Sequence, residues 1–334
     1  MLTLRLGLRA TLRKALCDAR SMGKIYMPNT KFCQGISDIS DSYTGFIIDT
    51  WGVIHDGEKV FESAIECLKE LKARKKFVLL MSNSEFRTEQ MVKYLRDKGM
   101  PDGLYSEILT SGELLWQGIK NQNEGIFQGL GQSYYLIGGE RTRNFLSTLP
   151  VTEEKDVSSA KIFLISGWDP LEGDLSVYDE AMKEAIRCRL KAICINPDTK
   201  ALIGTNFAGG VAKLARRYEE LGGVIQMIGK PYKPIFHHCI KVLHQNDIYP
   251  GQTVMVGDSM AHDILGASLV NMDTCLVKNG MHSGVFKNAA TPADVNKILN
   301  ILVTQFNNIR PTYMVDRLKW GKALPDRKHR RRSA

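Results

Sequence analysis

Residues 45–57 read GFIIDTWGVIHDG, Gly45 to Gly57. The apolar run Phe46-Ile47-Ile48 has the look of a buried strand, and it delivers Asp49 to the point where the pattern breaks. Trp51-Gly52-Val53 then turns the chain. A carboxylate at the carboxyl end of a buried strand, followed by a glycine, is where open α/β sheets place their chemistry. Asp49 is therefore a candidate nucleophile or metal ligand. Taken alone, an Asp after a strand is more often a turn former or a helix cap.

Outward from this segment, strand and helix patterns alternate along most of the chain. That order predicts a largely parallel sheet with helices on both faces. Residues 45–49 and 77–81 read as strands, 60–74 and 85–98 as helices. Residues 108–110 form a short strand leading to a helix near 111–120. The chain becomes polar and glycine-containing around Asn121-Gln122-Asn123-Glu124-Gly125, which marks a hinge. A second α/β series follows, with strands at 134–137, 162–165 and 192–195 and helices near 139–147, 175–189 and 208–221. The first module resumes near Ile225, with a helix at 233–245, strands at 253–257 and 273–277, and a helix at 261–269. The chain thus divides into 1–25, a core over 40–120 and 225–309, an inserted module over 121–224, and a tail over 310–334.

Three further segments place polar residues just after apolar runs. They are Met81-Ser82-Asn83-Ser84, Gly229-Lys230-Pro231, and Val256-Gly257-Asp258 with Asp263 five residues on. Each has an ordinary explanation. Asp258-Ser259 before a helix is a natural cap, and Lys230 before a proline is an ordinary loop cation. Their shared placement, each just after an apolar run and in this order, is what makes the set informative.

These four segments, in this order, resemble the motifs of the haloacid dehalogenase superfamily over about residues 40–300. The resemblance is to the NagD-like branch, class IIA, with a large α/β cap of the C2 type. The Asp49-Thr50-Trp51-Gly52-Val53 form resembles a distinct subgroup, together with Asn196-Pro197-Asp198 and Tyr218-Glu219-x-Leu221-Gly222-Gly223. The resemblance implies a Rossmann-like parallel-sheet core and phosphoryl transfer, which needs an in-line nucleophile, charge neutralisation and positioning. Asp49 would attack phosphorus and form an aspartyl-phosphate. Asp49, Asp258 and the backbone carbonyl of Trp51 would hold Mg2+, whose preference is for hard oxygen ligands. Asp263 would hold a metal-bound water or orient Lys230. Ser82 and the amide of Asn83 would bind phosphate oxygens, and Lys230 would pair with both the phosphate and Asp49.

One residue departs from that pattern. Phosphatases of this family carry a second Asp two places after the first, which protonates the leaving group and then activates water. Here the place is Trp51. General acid–base help is worth roughly 10²–10⁴ in rate, and an indole N–H does not titrate usefully. Three readings follow. The protein hydrolyses substrates with good leaving groups, such as acyl phosphates or anhydrides. Or His55 or Asp56, on the loop after the motif, supplies the proton; His55 is as well explained as a surface histidine. Or the chain is a catalytically weak scaffold or assembly factor that keeps an anion site.

The cap is expected to read the substrate, a small phosphorylated metabolite, through Asn196, Asp198 and the Gly204–Gly210 stretch. Ala208-Gly209-Gly210 opens a predicted helix whose free N–H groups suit an anion, although helix capping alone explains these glycines nearly as well. Caps of this class often pair across a homodimer. His237, His238 and Cys239 fall on a predicted core helix and read as structural.

The chain has 334 residues, more than one average domain. No apolar run reaches the ~18 residues of a membrane span. Seven scattered cysteines without a CxxC pair argue for a reducing compartment. The net charge of +9 is concentrated at the ends: +5 in residues 1–30 and +7 in 310–334, leaving −3 between. Leu4, Leu8, Leu12 and Leu16 beside Arg5, Arg9 and Arg13 form an amphipathic basic stripe with no acid before Asp18. That composition suits a mitochondrial presequence over 1–25, and hence a mitochondrial matrix location. The carboxyl-terminal run Arg327-Lys328-His329-Arg330-Arg331-Arg332 reads as a solvated tail that can contact RNA or a ribonucleoprotein.

Overall fold

The computed structural model describes residues 29–167, 173–198, 200–203 and 206–321. Its strands, in chain order, are β1 (Lys31–Phe32), β2 (Gly45–Asp49), β3 (Phe77–Ser82), β4 (Glu107–Thr110), β5 (Ser133–Ile137), β6 (Thr152–Glu153) and β7 (Ile162–Ile165). There follow β8 (Lys191–Cys194), β9 (Lys200–Ile203), β10 (Asn206–Gly209), β11 (Ile225–Met227), β12 (Thr253–Gly257), β13 (Asp273–Val277) and β14 (Tyr313–Val315). Seven strands form one all-parallel sheet in the order β1-β14-β13-β12-β2-β3-β4. Five form a second parallel sheet, β11-β8-β7-β5-β6, and β9-β10 is a hairpin.

The central strand β2 is buried along its whole length, as a parallel strand covered on both faces must be. Its alternate side chains enter different layers. Phe46 and Ile48 pack with Val78, Leu80, Val254 and Val256 against α1 (Glu62–Ala73) and α2 (Thr88–Asp97). Ile47 joins Leu79, Met81 and Met255 on the other face, against α3 (Ser111–Asn121) and the long helix Lys233–Gln245. Thr110 starts α3 by accepting the Glu113 N–H at 3.0 Å. The same apolar cluster continues into Leu136, Ile162, Leu164 and Ile193 of the second sheet. The two sheets are thus joined by shared core as well as by chain crossings.

The predicted parallel α/β core is what the structure contains, and the strands around Asp49, Ser82 and Asp258 lie where the apolar runs place them. Four boundaries differ. Ile225–Met227 does not resume the core; β11 pairs with β8 at the edge of the second sheet. A three-residue strand with alternate burial fits either sheet by its pattern, and the pairing partner decides. Residues 310–321 are not tail: β14 lies between β1 and β13, and Leu318 is buried. The core also begins before residue 40, since β1 pairs with β14. Finally, the helix expected over 208–221 starts at Ala212, because the β9-β10 hairpin occupies the preceding stretch. The segment 1–25, the basic run 327–332 and residues 204 and 205 of the Gly204–Gly210 stretch lie outside the described residues.

Among the described residues, no helix is long and apolar enough to cross a membrane. Their six cysteines are all free.

Candidate active site

The site forms at the carboxyl ends of β2, β3 and β12. Asp49 ends β2, Ser82 ends β3, and Asp258 follows Gly257 at the end of β12. After β12 the chain makes a single π-helical turn, Met260–Ile264, a form frequent at functional sites. That turn carries His262 and Asp263. Oxygens of Asp49, Asp258 and Asp263 all lie within 4.8 Å of one another, and all three residues are buried.

The backbone around this cluster is tight. Gly52 has φ +75°, and a side chain there would place its Cβ 2.0 Å from an Asp258 oxygen. A Cβ at Gly280 would meet the same oxygen at 2.1 Å. The Trp51–Gly52 backbone therefore runs directly against Asp258. Met281 N–H donates to the same oxygen, Asp258 Oδ2, at 2.8 Å and holds the carboxylate in place.

Lys230 is almost fully buried and bridges two of the carboxylates. Its Nζ donates to Asp49 Oδ1 at 2.5 Å and to Asp263 Oδ1 at 2.8 Å. Burial alone would lower the lysine pKa, but Asp263 and Asp49 outweigh it and hold the ammonium well above its usual range. The second oxygen of Asp263 accepts the Ser259 N–H at 3.0 Å. Both Asp263 oxygens therefore accept a hydrogen bond; Asp263 orients the lysine and stays within the cluster that could hold an ion. Asp49 Oδ1 also accepts the Thr50 N–H at 2.7 Å. This leaves Asp49 Oδ2 and Asp258 Oδ1 without hydrogen bonds among the described residues. Burial, with the charge of Asp263, pushes the Asp49 carboxyl up to about 7 despite Lys230. Burial and the charge of Asp49 also raise Asp258. Lys230 offsets too little negative charge for this cluster, and the remaining oxygens suit a hard divalent cation.

The phosphate-binding candidates sit beside the nucleophile. Ser82 Oγ accepts from Thr50 Oγ1 at 3.1 Å and from Ser84 N–H at 3.3 Å, so its own hydroxyl hydrogen is left to donate. The Asn83 side chain has a task that the sequence reading missed. Its Oδ1 accepts the Lys230 N–H at 2.6 Å and its Nδ2 donates to the Lys230 carbonyl at 3.1 Å. Nothing in the local pattern signals this pairing across 147 residues. Thr50 and His262 were likewise missed; their adjacency to Asp49 and Asp263 is the only sequence signal.

The two proton-donor candidates are placed otherwise than expected. His55 is 2% exposed, and its Nδ1 accepts the Gly57 N–H at 3.0 Å. Its ring lies edge-on between Trp51, 5.1 Å away, and Tyr94, 5.4 Å away. Burial lowers its pKa to about 4. His55 is thus a neutral anchor of the loop and not a proton store at neutral pH. Asp56 Oδ1 accepts the Glu58 and Lys59 N–H groups at 2.9 Å each, and these bonds, that of Lys59 first, hold its carboxyl below the usual range. Asp56 caps the turn. Trp51 itself is 38% exposed.

Of the two expected cap contacts, Asp198 reaches the core and Asn196 does not. Asp198 Oδ1 accepts from Asn83 Nδ2 at 2.8 Å and lies 3.6 Å from His262 Nδ1. Asn196 instead folds back, its Oδ1 accepting the Asp198 N–H at 2.8 Å. It shapes the turn that presents Asp198. His238 and Cys239 lie on the helix that covers the core, as expected of structural residues.

The haloacid dehalogenase-like hydrolase family pattern matches residues 46–151, and a related hydrolase pattern matches 227–320. A 5'-nucleotidase of Bacillus subtilis, YutF, is 28% identical over 261 residues, covering 77% of this chain and 93% of the relative. Chronophin of Mus musculus is 26% identical over 266 residues, covering 74% and 85%. Among solved structures, a haloacid dehalogenase-like hydrolase from Brucella suis superposes with a TM-score of 0.69 at 24% identity, over 86% of this chain and 99% of that one. A p-nitrophenyl phosphatase from Archaeoglobus fulgidus gives 0.65 at 19% identity, over 82% and 96%.

Proposed function

Since this chain belongs to the haloacid dehalogenase superfamily, we propose that it is a Mg2+-dependent phosphohydrolase that works through an aspartyl-phosphate at Asp49 on substrates with good leaving groups. One observation carries the reading. Lys230 holds Asp49 and Asp263 together while Asp49 and Asp258 each keep an oxygen free. The relatives named a 5'-nucleotidase and a phosphatase support phosphorylated small molecules as the substrate class.

Asp49, Asp258 and the Trp51 carbonyl would hold Mg2+, which would supply charge neutralisation for the phosphoryl group. The rest falls to the chain. Asp49 attacks phosphorus in line, forming an O–P bond as the bond to the leaving group breaks. Lys230 offsets the repulsion between carboxylate and phosphate, and Ser82 donates to a phosphate oxygen. The site lacks a titrating group in the place of Trp51, and His55 is neutral and engaged. The leaving group therefore departs as an anion, and water opens the aspartyl-phosphate without a carboxylate base. That restricts the reaction to acyl phosphates, anhydrides and similar compounds.

The test compares acetyl phosphate with glycerol phosphate in Mg2+, with Asp49→Asn as control. Turnover of acetyl phosphate that the variant abolishes supports the reading. The missing acid also favours the second reading, a scaffold. Wild-type protein that binds Mg2+ and phosphate but turns over neither compound would establish that one.

A further inference from the structure

Among the described residues, Asp198 brings the second sheet to the reaction centre, and its neighbours form one continuous chain. It leaves the end of β8 in a pre-shaped turn: Asn196 Oδ1 holds its N–H at 2.8 Å, and its own carbonyl accepts the Ala212 N–H at 3.2 Å. Pro197 packs on the backbone before the lysine, since a Cβ at Gly229 would fall 2.6 Å from its Cδ. Asp198 Oδ1 takes one amide proton of Asn83 at 2.8 Å. The other goes to the Lys230 carbonyl at 3.1 Å, while Asn83 Oδ1 accepts the Lys230 N–H at 2.6 Å. Lys230 Nζ then reaches Asp49. Both donors of the Asn83 amide are used, so its orientation is fixed from both ends.

We propose that Asp198 is a positioning residue: it holds the Asn83 amide against the Lys230 backbone and thereby sets the lysine ammonium between Asp49 and Asp263. The claim rests on the phosphoryl-transfer reading above and replaces substrate reading as the role of Asp198. A free carboxylate at the mouth of a phosphate site would repel the substrate. Here one carboxylate oxygen, Oδ1, is taken by Asn83 and lies beside His262. Without it, one amide proton is unpaired and the clamp on Lys230 loosens. A displacement of about 1 Å at such a group costs up to ~10²-fold in rate.

The experiment measures kcat and KM for acetyl phosphate and p-nitrophenyl phosphate in Mg2+. Asp198→Ala is expected to lower kcat by roughly tenfold or more, by the same factor for both compounds, with KM little changed. Asp198→Asn keeps an acceptor oxygen and recovers most of the loss. In an Asn83→Ala background, Asp198→Ala adds little further loss, because the chain is already cut. A loss confined to the bulkier compound, an Asn variant as poor as the Ala variant, or additive effects in the double variant would each overturn the proposal. If Asp198→Ala does not fold, Asn83→Ala with Asp198→Asn carries the same comparison: Asn83→Ala lowers kcat equally on both compounds and Asp198→Asn does not. If wild-type protein turns over neither compound, the reaction fails and the linkage is read from calorimetric binding of inorganic phosphate with Mg2+. Weaker binding in the Ala variant, restored in the Asn variant, supports the linkage; equal affinity in all three overturns it.

Discussion

The indole of Trp51 meets the imidazole of His55 edge to face, with ring centres 5.1 Å apart and planes at 80°. The residue that stands where an acid–base carboxylate is expected is thus braced by the residue that was the candidate to replace it. Gly57 lies beneath the same indole, where a Cβ would come within 2.2 Å of the ring. Trp51, His55 and Gly57 form one packed loop, and none of them is a proton donor at neutral pH.

Replacing Trp51 by Asp restores a titrating group. Alkyl phosphate hydrolysis is expected to rise by roughly 10²-fold, and acetyl phosphate hydrolysis to change much less. The variant also loses the packing on His55 and Gly57, so its melting temperature should fall. Trp51→Phe keeps much of that packing and should show no gain. Steady-state rates on both substrate types check this, and equal rates on the two in wild-type protein would show that another group already moves the proton.

His55 is expected to affect stability and not the pH profile of turnover. Its pKa falls from its ordinary value of 6.5 to about 4 through burial. Between those values the unfolded chain binds a proton that the folded chain does not. Stability from this group is full above pH 6.5 and is lost as pH falls towards 4, by at most about 3 kcal/mol. His282, whose Nε2 accepts the Met260 N–H at 3.1 Å, has the same sign and a pKa of about 4. His55→Gln should flatten the acid limb of a denaturation series while the shape of the kcat–pH curve stays the same. A kcat profile that changes with this variant would restore His55 as an acid.

If Asp258 is a metal ligand, its loss should be visible in stability. A ligand present at 100 times its Kd stabilises the folded state by about 2.7 kcal/mol. Mg2+ should therefore raise the melting temperature of wild-type protein. Asp258→Asn removes one of the two carboxylates with a free oxygen and should abolish most of that rise. An undiminished rise would place the cation elsewhere.

The core extends at least to Gly321. A chain ending at residue 309 lacks β14, which separates β1 from β13, and should not fold. A chain ending at 321 keeps that strand and the contact of Gly35 with Trp320. It should fold and melt cooperatively, unlike the chain ending at 309. The net +5 of residues 322–334, six Lys/Arg against Asp326, motivates a further expectation, that removing them abolishes any affinity for RNA. Such affinity should fall steeply with salt, and a truncated chain that binds as well as the whole would refute it.

The sequence by itself determined the parallel α/β class and the stations of the site. Runs such as Phe46–Ile48 and Val254–Val256 are buried on both faces whatever their neighbours, so their apolar character is legible residue by residue. The polar residues that end them, Asp49, Ser82 and Asp258, follow directly. Sheet membership is not local. Ile225–Met227 and Tyr313–Val315 are short strands that either sheet could accept, and only their hydrogen-bond partners assign them. The same holds for chemistry. That both Asp263 oxygens are engaged, that His55 is neutral, and that Asn83 clamps a lysine far along the chain depend on groups brought within about 3 Å by folding. Residue type states what a side chain can do. Its partners and its distance from water, which only the tertiary structure sets, decide what it does.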